Sequence, residues 1–483
     1  MGRSITKLVS IAFLGGLIGR GLRYALNVVI ARGLGTDALG VFAFGLVLMK
    51  AGSVLARFGL GSGAQKFIPI YRSDGDDAKV TGTAVLCLGI PLFAGGVVAA
   101  ILYVGQDVIF AVVDVAMRSQ VKLFYLGIPL FAMLMVGLAI TRGLKETKYA
   151  VYSRDLGQSG FAILLIAVGV YVLDDLQYVI GGYLLSLVLG IVLVVYYLYA
   201  EGVLTPQSHP SFNTRELLVF SLPLLLSAAM QYLVSWTDIF FLGILTSATE
   251  TGWYQAVFQT SVLLTLVLKS ANTILPSLVS DFTHNDRDER LARVYTSVTK
   301  WVTMLTVLGF LFLCIFSKDV LNMFGTVTKE TQVALVVLGA GQMITASTGV
   351  SGYFLIMSEY ERLEAVNTSI VAVLNVALNF VLIQQLGLLG AAIATSMSLA
   401  LVNLLRLLEV WYLLGIQPYS PRYVREFFAV GCATLVMWFG KQLLLPGVVR
   451  VFAIGGLSLI VFFAIVSVLG FDDADRILLE SIE

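Results

Sequence analysis

Charge is scarce in this chain. Only 13% of its 483 residues are Asp, Glu, Lys or Arg, against a hydrophobic share of 58% and a mean hydropathy of +0.91. Soluble globular domains carry about 25% charged residues, so a string of cytosolic domains is excluded. The formal net charge of +1 gives nucleic acid no electrostatic footing. Cysteine is nearly absent as well. Cys87, Cys314 and Cys432 each sit inside an apolar run, an odd and scattered set that offers neither a disulfide framework nor a metal-ligand spacing. The two histidines, His209 and His284, fall in polar linkers, where solvation accounts for them. No Gly-x-x-x-x-Gly-Lys-Ser/Thr run is present, so the chain itself is not expected to use ATP. Asp174-Asp175 and Asp472-Asp473 lack partner motifs for metal or sugar-nucleotide chemistry. Nothing in the chain calls for a metal, a cofactor or an enzymatic role.

Apolar runs are what the chain has in abundance. They recur with short polar breaks from 8–30, 40–64 and 81–105 through 333–357, 365–384 and 388–414 to 427–445 and 449–470, about fourteen in all. A transmembrane helix needs about 20 mostly apolar residues, which each run approaches or exceeds. Ten-residue alternation is missing, so an outer-membrane barrel is excluded. The expectation is an all-α polytopic membrane protein. The first run is too long for the apolar region of a cleaved signal peptide, and no small-residue cleavage site follows it. Basic residues gather in alternate loops, with Arg142, Lys145, Lys148 and Arg154 after the fourth run and Lys300, Arg362 and Arg425 further on. By the positive-inside bias both termini are expected in the cytoplasm of a prokaryotic cell.

The chain also repeats itself. Leu34 to Phe42 after the first run matches Leu245 to Tyr254 after the seventh, with Gly40 and Gly252 212 residues apart. Each segment leads through a long run to Ile68-Pro69 or Leu275-Pro276 and then to a charged loop. Two similar six-span halves are expected, residues 1–199 and 215–415, joined by a polar linker at 200–214. Residues 416–483 add two further spans and a tail.

The charges inside the runs are the candidate functional residues. The first run carries Arg20 and Arg23, and on a helix these share one face with Gly16 and Asn27, all within about 60°, with Gly15 and Gly19 alongside. Arg at mid-bilayer costs at least ~2.5–3.5 kcal/mol and ordinarily faces a bundle interior or a wet cavity. Small residues beside that stripe let a neighbouring backbone approach. Lys50 and Arg57 share a face of the second run, and Lys269 lies in the eighth. A groove lined this way attracts anions, and the planar fork of Arg suits a phosphate or carboxylate. Arg57 and Lys269 also have a plainer reading, in which they snorkel to the cytoplasmic interface. Arg406, three residues before Glu409, reads as half of a structural ion pair. Asp238 is the one carboxylate well inside a run and a candidate for coupling to H+ or Na+. It lies ~31 Å along its span, however, which favours a place at the outer interface.

Three stretches carry a family resemblance. They are Ala31-Arg32-Gly33-Leu34-Gly35 with Gly40-Val41-Phe42; Phe220-Ser221-Leu222-Pro223 running into Trp236-Thr237-Asp238; and Asn375-Val376-Ala377-Leu378-Asn379-Phe380, followed by Gly387-Leu388-Leu389-Gly390-Ala391-Ala392. In these the chain resembles the polysaccharide transporter, or Wzx-like flippase, branch of the multidrug/oligosaccharidyl-lipid/polysaccharide (MOP) superfamily. The likeness covers nearly all of residues 1–415, and the third stretch marks the superfamily rather than the cargo. It implies two pseudo-equivalent six-helix bundles plus two C-terminal helices, rocking between inward-open and outward-open states. The implied cargo is an isoprenoid-phosphate-linked oligosaccharide moved from the inner to the outer leaflet. Sugar hydroxyls each cost several kcal/mol in hydrocarbon without partners, whereas the tail is content in lipid. Arg20, Arg23, Lys50, Arg57 and Lys269 are then candidates for the headgroup phosphate, an assignment drawn from their depth and faces rather than from the family motif. Asn27, Asn375 and Asn379 are candidate polar lining residues. Two alternatives belong to the same superfamily, a MATE-type cation-coupled drug exporter and a lipid II-type flippase. The exporter wants buried carboxylates, whereas the deep charges here are basic. A membrane ligase or polymerase wants a large outer loop, and no outer loop is expected to exceed about 20 residues.

Overall fold

The computed structural model describes residues 2–107, 120–204, 210–272, 288–358, 360–419 and 423–470. His209, His284, Leu275-Pro276 and Asp472-Asp473 lie outside the described residues. Those described form helices and short turns, with no strand among them. The fold class read from the apolar runs therefore holds, and nine helices among the described residues are long and apolar enough to cross a membrane.

The chain forms two compact units, residues 1–255 and 256–483. The first begins with α1 (Gly2–Leu34), α2 (Thr36–Ala56), α3 (Leu60–Ser73) and α4 (Asp77–Val104). A 3-10 turn, Lys122–Leu126, then leads into α5 (Gly127–Gly143). The next span is composite. One α-helical turn, Thr147–Ala150, passes into a π-helical stretch, Val151–Gln158, and then into α6 (Ser159–Tyr171). After α7 (Leu176–Ala200) and α8 (Thr214–Leu245), the unit closes on the start of α9 (Ala248–Val262).

Between apolar helices in lipid the hydrophobic drive is weak, so association depends on close packing of small residues and on hydrogen bonds. The crossing of α2 and α9 shows this. A Cβ on Gly40 would stand 1.9 Å from the Ala248 carbonyl oxygen, and a Cβ on Gly252 would stand 1.9 Å from that of Thr36. Beside this contact the Thr249 hydroxyl donates to Asp37 Oδ1 at 2.6 Å. The two glycines that the repeat paired in sequence meet face to face.

The second apolar run, expected as one span, is broken between α2 and α3. Phe58 and Gly59 both take left-handed φ, at 46° and 72°. A Cβ on Gly59 would lie 2.0 Å from the Ser221 carbonyl oxygen of α8, so the bend and the close approach both require glycine there. Outward positions stay apolar where lipid replaces water, as at Phe93 and Val104 on α4.

The second unit contains α10 (Asp288–Asn322), α11 (Lys329–Ser347), α12 (Ser351–Met357), α13 (Glu361–Leu386), α14 (Leu388–Leu414), α15 (Val424–Leu443) and α16 (Val448–Leu469). Thr328 opens α11 through a capping box with Thr331. An apolar cluster around Tyr295, Val302, Phe354 and Val410 forms the core at one end, and the Tyr295 hydroxyl donates to the Thr348 carbonyl at 3.0 Å. Two basic residues of this unit differ from expectation. Lys300, counted with the loops, is buried and pairs with Glu426 at 3.1 Å, because α10 reaches further than its apolar stretch. Arg406 pairs across the helix contact with Glu364 of α13, Nε donating to Oε2 at 2.9 Å. Its neighbour Glu409 instead accepts from Asn367 at 2.6 Å. The inter-helix partner wins because Glu364 presents both carboxylate oxygens to the guanidinium fork.

Candidate functional site

The site grows from the polar stripe of α1. Gly15 and Gly19 border it, and the backbone they admit is the π-helical stretch. A Cβ on Gly15 would meet Val151 Cγ1 at 2.1 Å, and one on Gly19 would meet the Cα and carbonyl oxygen of Asp155 at 2.9 and 2.8 Å. With the backbones this close, Arg23 reaches across. Its Nη1 and Nη2 both donate to Asp155 Oδ1 at 3.2 Å, and Nη1 also donates to Ser159 Oγ at 3.0 Å. The Ser159 hydroxyl donates onward to the Arg154 carbonyl at 3.1 Å, five residues back, in keeping with the wider π register.

On α2, Lys50 lies over the ring of Trp236 on α8, Nζ 3.8 Å from the centroid. One turn before Trp236, the Tyr232 hydroxyl donates to the Val47 carbonyl at 2.5 Å, which fixes α8 along α2. Ser53 Oγ donates to the Lys50 carbonyl at 2.7 Å, and Arg57 Nε donates to the Ser53 carbonyl at 3.2 Å. Arg20, Arg23, Lys50, Arg57 and Arg154 are all half-buried. Arg154 lies within electrostatic reach of Arg23, Asp155, Arg142 and Tyr183, and also of Lys50 and Arg57. Arg20 lies within reach of Arg23 and Asp155. Among the described residues, Arg23 alone of these cations makes a carboxylate ion pair, to Asp155.

Four expected headgroup residues, Arg20, Arg23, Lys50 and Arg57, thus share one compact unit and one cluster. Lys269 is in the other unit, on a helical stretch at 266–272, where it is exposed. Asn27 is buried on α1; its amide donates to the Arg23 carbonyl at 2.6 Å and its oxygen accepts from Gln255 at 3.0 Å. Asn375 and Asn379 are buried on α13. Asn375 donates to Ser398 of α14 at 3.1 Å, and Asn379 donates to the Asn375 carbonyl at 2.9 Å. The Asn375 amide serves the α13–α14 contact, whereas that of Asn379 stays within α13. Asp238 is buried, only 4% exposed. Its Oδ2 accepts from the Tyr254 hydroxyl at 2.6 Å and its Oδ1 from the Ile239 amide at 2.8 Å, because α9 folds back over the end of α8.

Sequence reasoning missed Arg142, Arg154 and Asp155. Arg142 and Arg154 were counted with the loop because they stand at the end of one apolar run and the start of the next, and Asp155 was passed over. The signal available was Gly15 and Gly19, which required a close neighbour without saying which. No group of three or more His, Cys, Asp or Glu that could hold a metal occurs among the described residues. The arrangement is suited to gripping an anion: several guanidinium groups and an ammonium, held in a low-dielectric bundle, with a single carboxylate ion pair, Arg23–Asp155, among them in the described residues.

Such a fold and cluster define a multi-pass helical membrane transporter with a cationic interior. The family model for polysaccharide biosynthesis proteins matches residues 5–282, and the chain belongs to that family, within the MOP superfamily. The MatE model also matches, over residues 223–381. In sequence the chain is similar to the probable low-salt glycan biosynthesis flippase Agl15 of Haloferax volcanii. The two are 25% identical over 419 residues, covering 84% of this chain and 82% of that one. The probable flippase AglR of the same organism is 23% identical over 210 residues, covering 42% and 44%. In fold the chain is similar to the lipid II flippase MurJ in an inward closed conformation, with a TM-score of 0.70, 15% identity and coverage of 95% and 98%. It is similar too to a multidrug resistance MATE transporter in an inward-facing conformation, with a TM-score of 0.67, 18% identity and coverage of 84% and 98%.

Proposed function

We propose that the chain is a flippase that carries an isoprenoid-phosphate-linked oligosaccharide from the cytoplasmic to the outer leaflet of a prokaryotic cell membrane by alternating access. Both termini lie in the cytoplasm in this reading, as the basic loops require. Residues 1–199 and 215–415 act as two pseudo-equivalent halves about the 200–214 linker, with the two helices of 416–483 added. The lipid bilayer is the tail's solvent throughout, and the polar interior relieves the cost of carrying sugar hydroxyls through hydrocarbon.

The observation that carries the proposal is the excess of cations in the α1, α2 and π-helical cluster. Arg20, Lys50, Arg57, Arg142 and Arg154 each lie within electrostatic reach of Arg23, Arg154 or Asp155, and among the described residues Asp155 is the one carboxylate in an ion pair with this group, through Arg23. Charge of one sign held in a helical bundle is expensive, and a phosphate offsets it. The names of two sequence relatives, a probable low-salt glycan biosynthesis flippase and a probable flippase, support a flippase role, and the first supports the same cargo class. The MatE match supports the rival, an exporter of cationic drugs, but a cationic cargo would meet like charge here. Coupling to H+ or Na+ through Asp238 belongs to the same proposal.

The test is a gene deletion followed by assay of which leaflet holds lipid-linked oligosaccharide. Accumulation on the cytoplasmic side is expected, with no change in sensitivity to cationic drugs. Arg20→Ala and Arg23→Ala should give the same block in protein that still inserts. Normal glycan export in both variants, or drug hypersensitivity in the deletion, would overturn the proposal.

A further inference from the structure

Asp155 and Arg154 are consecutive residues of the π-helical stretch, and both address Arg23. Their situations differ. Asp155 holds both terminal nitrogens of Arg23 through a single oxygen, each at 3.2 Å. Bidentate pairs use two oxygens and run at about 2.7–2.9 Å, so this contact is long and one-sided. The Arg23 side chain is still 37% exposed and open to a second acceptor. Arg154 makes no carboxylate ion pair among the described residues, although its neighbours Arg23, Lys50, Arg57 and Arg142 are all cations. Ser159 donates to the Arg154 carbonyl and accepts from Arg23, so a single hydroxyl links the Arg23 guanidinium to the Arg154 backbone.

From this geometry we propose that Asp155 is a built-in stand-in for the headgroup anion: it occupies Arg23 while the site awaits cargo, and a phosphate displaces it by bridging Arg23 and Arg154. The proposal rests on the flippase reading and adds to it a competitor and an anchoring cation. A phosphate offers more acceptor oxygens than the one Asp155 supplies, enough for both guanidinium groups. The displaced carboxylate remains beside the bound anion and repels it. Binding is thereby kept weak enough for release, which a carrier needs as much as capture.

Purified full-length protein in detergent would be titrated with farnesyl diphosphate, and with farnesol as the uncharged control, by calorimetry. Asp155→Asn should bind farnesyl diphosphate about tenfold more tightly than the parent, and Arg154→Gln about tenfold more weakly, while farnesol binding is unchanged in both. In an Arg23→Gln background the gain from Asp155→Asn should vanish, because the competition is for Arg23. That double variant also removes both members of the pair, so it reports on Asp155 even where Asp155→Asn alone is not monodisperse. In proteoliposomes Asp155→Asn should flip more slowly despite binding more tightly. Equal or weaker binding by Asp155→Asn, an equal gain without Arg23, or an unchanged Arg154→Gln would overturn this inference while leaving the flippase reading intact. If the parent binds farnesyl diphosphate no better than farnesol, the phosphate site itself is wrong.

Discussion

Lys50 Nζ rests 3.8 Å from the centre of the Trp236 ring, an ammonium on α2 held against an indole on α8. Tyr232, four residues earlier on α8, stacks near that ring at 6.4 Å and bonds the α2 backbone. A cation over an indole face is worth about 0.5–2 kcal/mol, more as water is excluded. The ring therefore aims the ammonium without neutralising its charge. Trp236→Leu should lower glycan flipping by about three- to thirtyfold, with Trp236→Phe in between and insertion unchanged in both. A flipping assay in proteoliposomes, normalised to inserted protein, checks the order.

The face-to-face glycines give a stability prediction. A methyl group on Gly40 or Gly252 would be forced against backbone carbonyls that cannot rotate away. Gly40→Ala and Gly252→Ala should each cost about 1–3 kcal/mol, the range for overpacked sites. The double variant should cost less than their sum, because the first substitution already separates the helices. Gly21→Ala, where nothing lies within 4 Å, is the control and should be near neutral. Thermal unfolding of the detergent-purified proteins, followed by tryptophan fluorescence, measures all four.

How far the sequence could be read follows from what kind of signal each feature leaves. Span count and helical class come from apolar length, a property local to each run, and were legible. So was the stripe of Arg20, Arg23 and Asn27, since helical periodicity puts those residues on one face whatever lies opposite. Gly40 and Gly252 were legible as equivalents, although their meeting was not, because similarity gives no contact. The partner of Arg406 was misread. The i,i+3 neighbour Glu409 was visible in the chain, whereas Glu364 lies 42 residues away and is brought in only by the α13–α14 packing. Arg154 and Asp155 were hidden for a related reason: a π-helical register in a polar stretch looks like a loop by composition.

That corrected pairing is testable. Arg406 and Glu364 are both largely buried, and removing one partner of a buried pair leaves an uncompensated charge, at a cost of about 3–5 kcal/mol. Glu364→Gln should lower stability by something near the lower end of that range, since the amide keeps one acceptor for the guanidinium. Glu409→Gln should cost under about 1 kcal/mol, because its bond to Asn367 survives with an amide oxygen as acceptor. Denaturation midpoints of the two variants, compared side by side, decide which glutamate holds Arg406.

The buried carboxylate of Asp238 separates a structural role from a coupling one. Its Oδ2 accepts from the Tyr254 hydroxyl at 2.6 Å, tying the end of α8 to α9. An asparagine at 238 can keep its oxygen on the Ile239 amide and donate its NH2 to the Tyr254 oxygen, but it has no proton to gain or charge to offer a cation. Asp238→Asn should therefore fold and insert with a melting temperature close to the parent's, yet flip cargo at a rate that no longer responds to an imposed proton or sodium gradient. Tyr254→Phe should do the reverse. It removes a hydrogen bond to a charged group, worth about 1.5–3 kcal/mol, and lowers stability while the gradient response survives. Proteoliposomes with an imposed H+ or Na+ gradient, assayed beside melting curves for both variants, give the two readouts. A gradient response retained by Asp238→Asn would leave Asp238 as a packing residue and move coupling elsewhere.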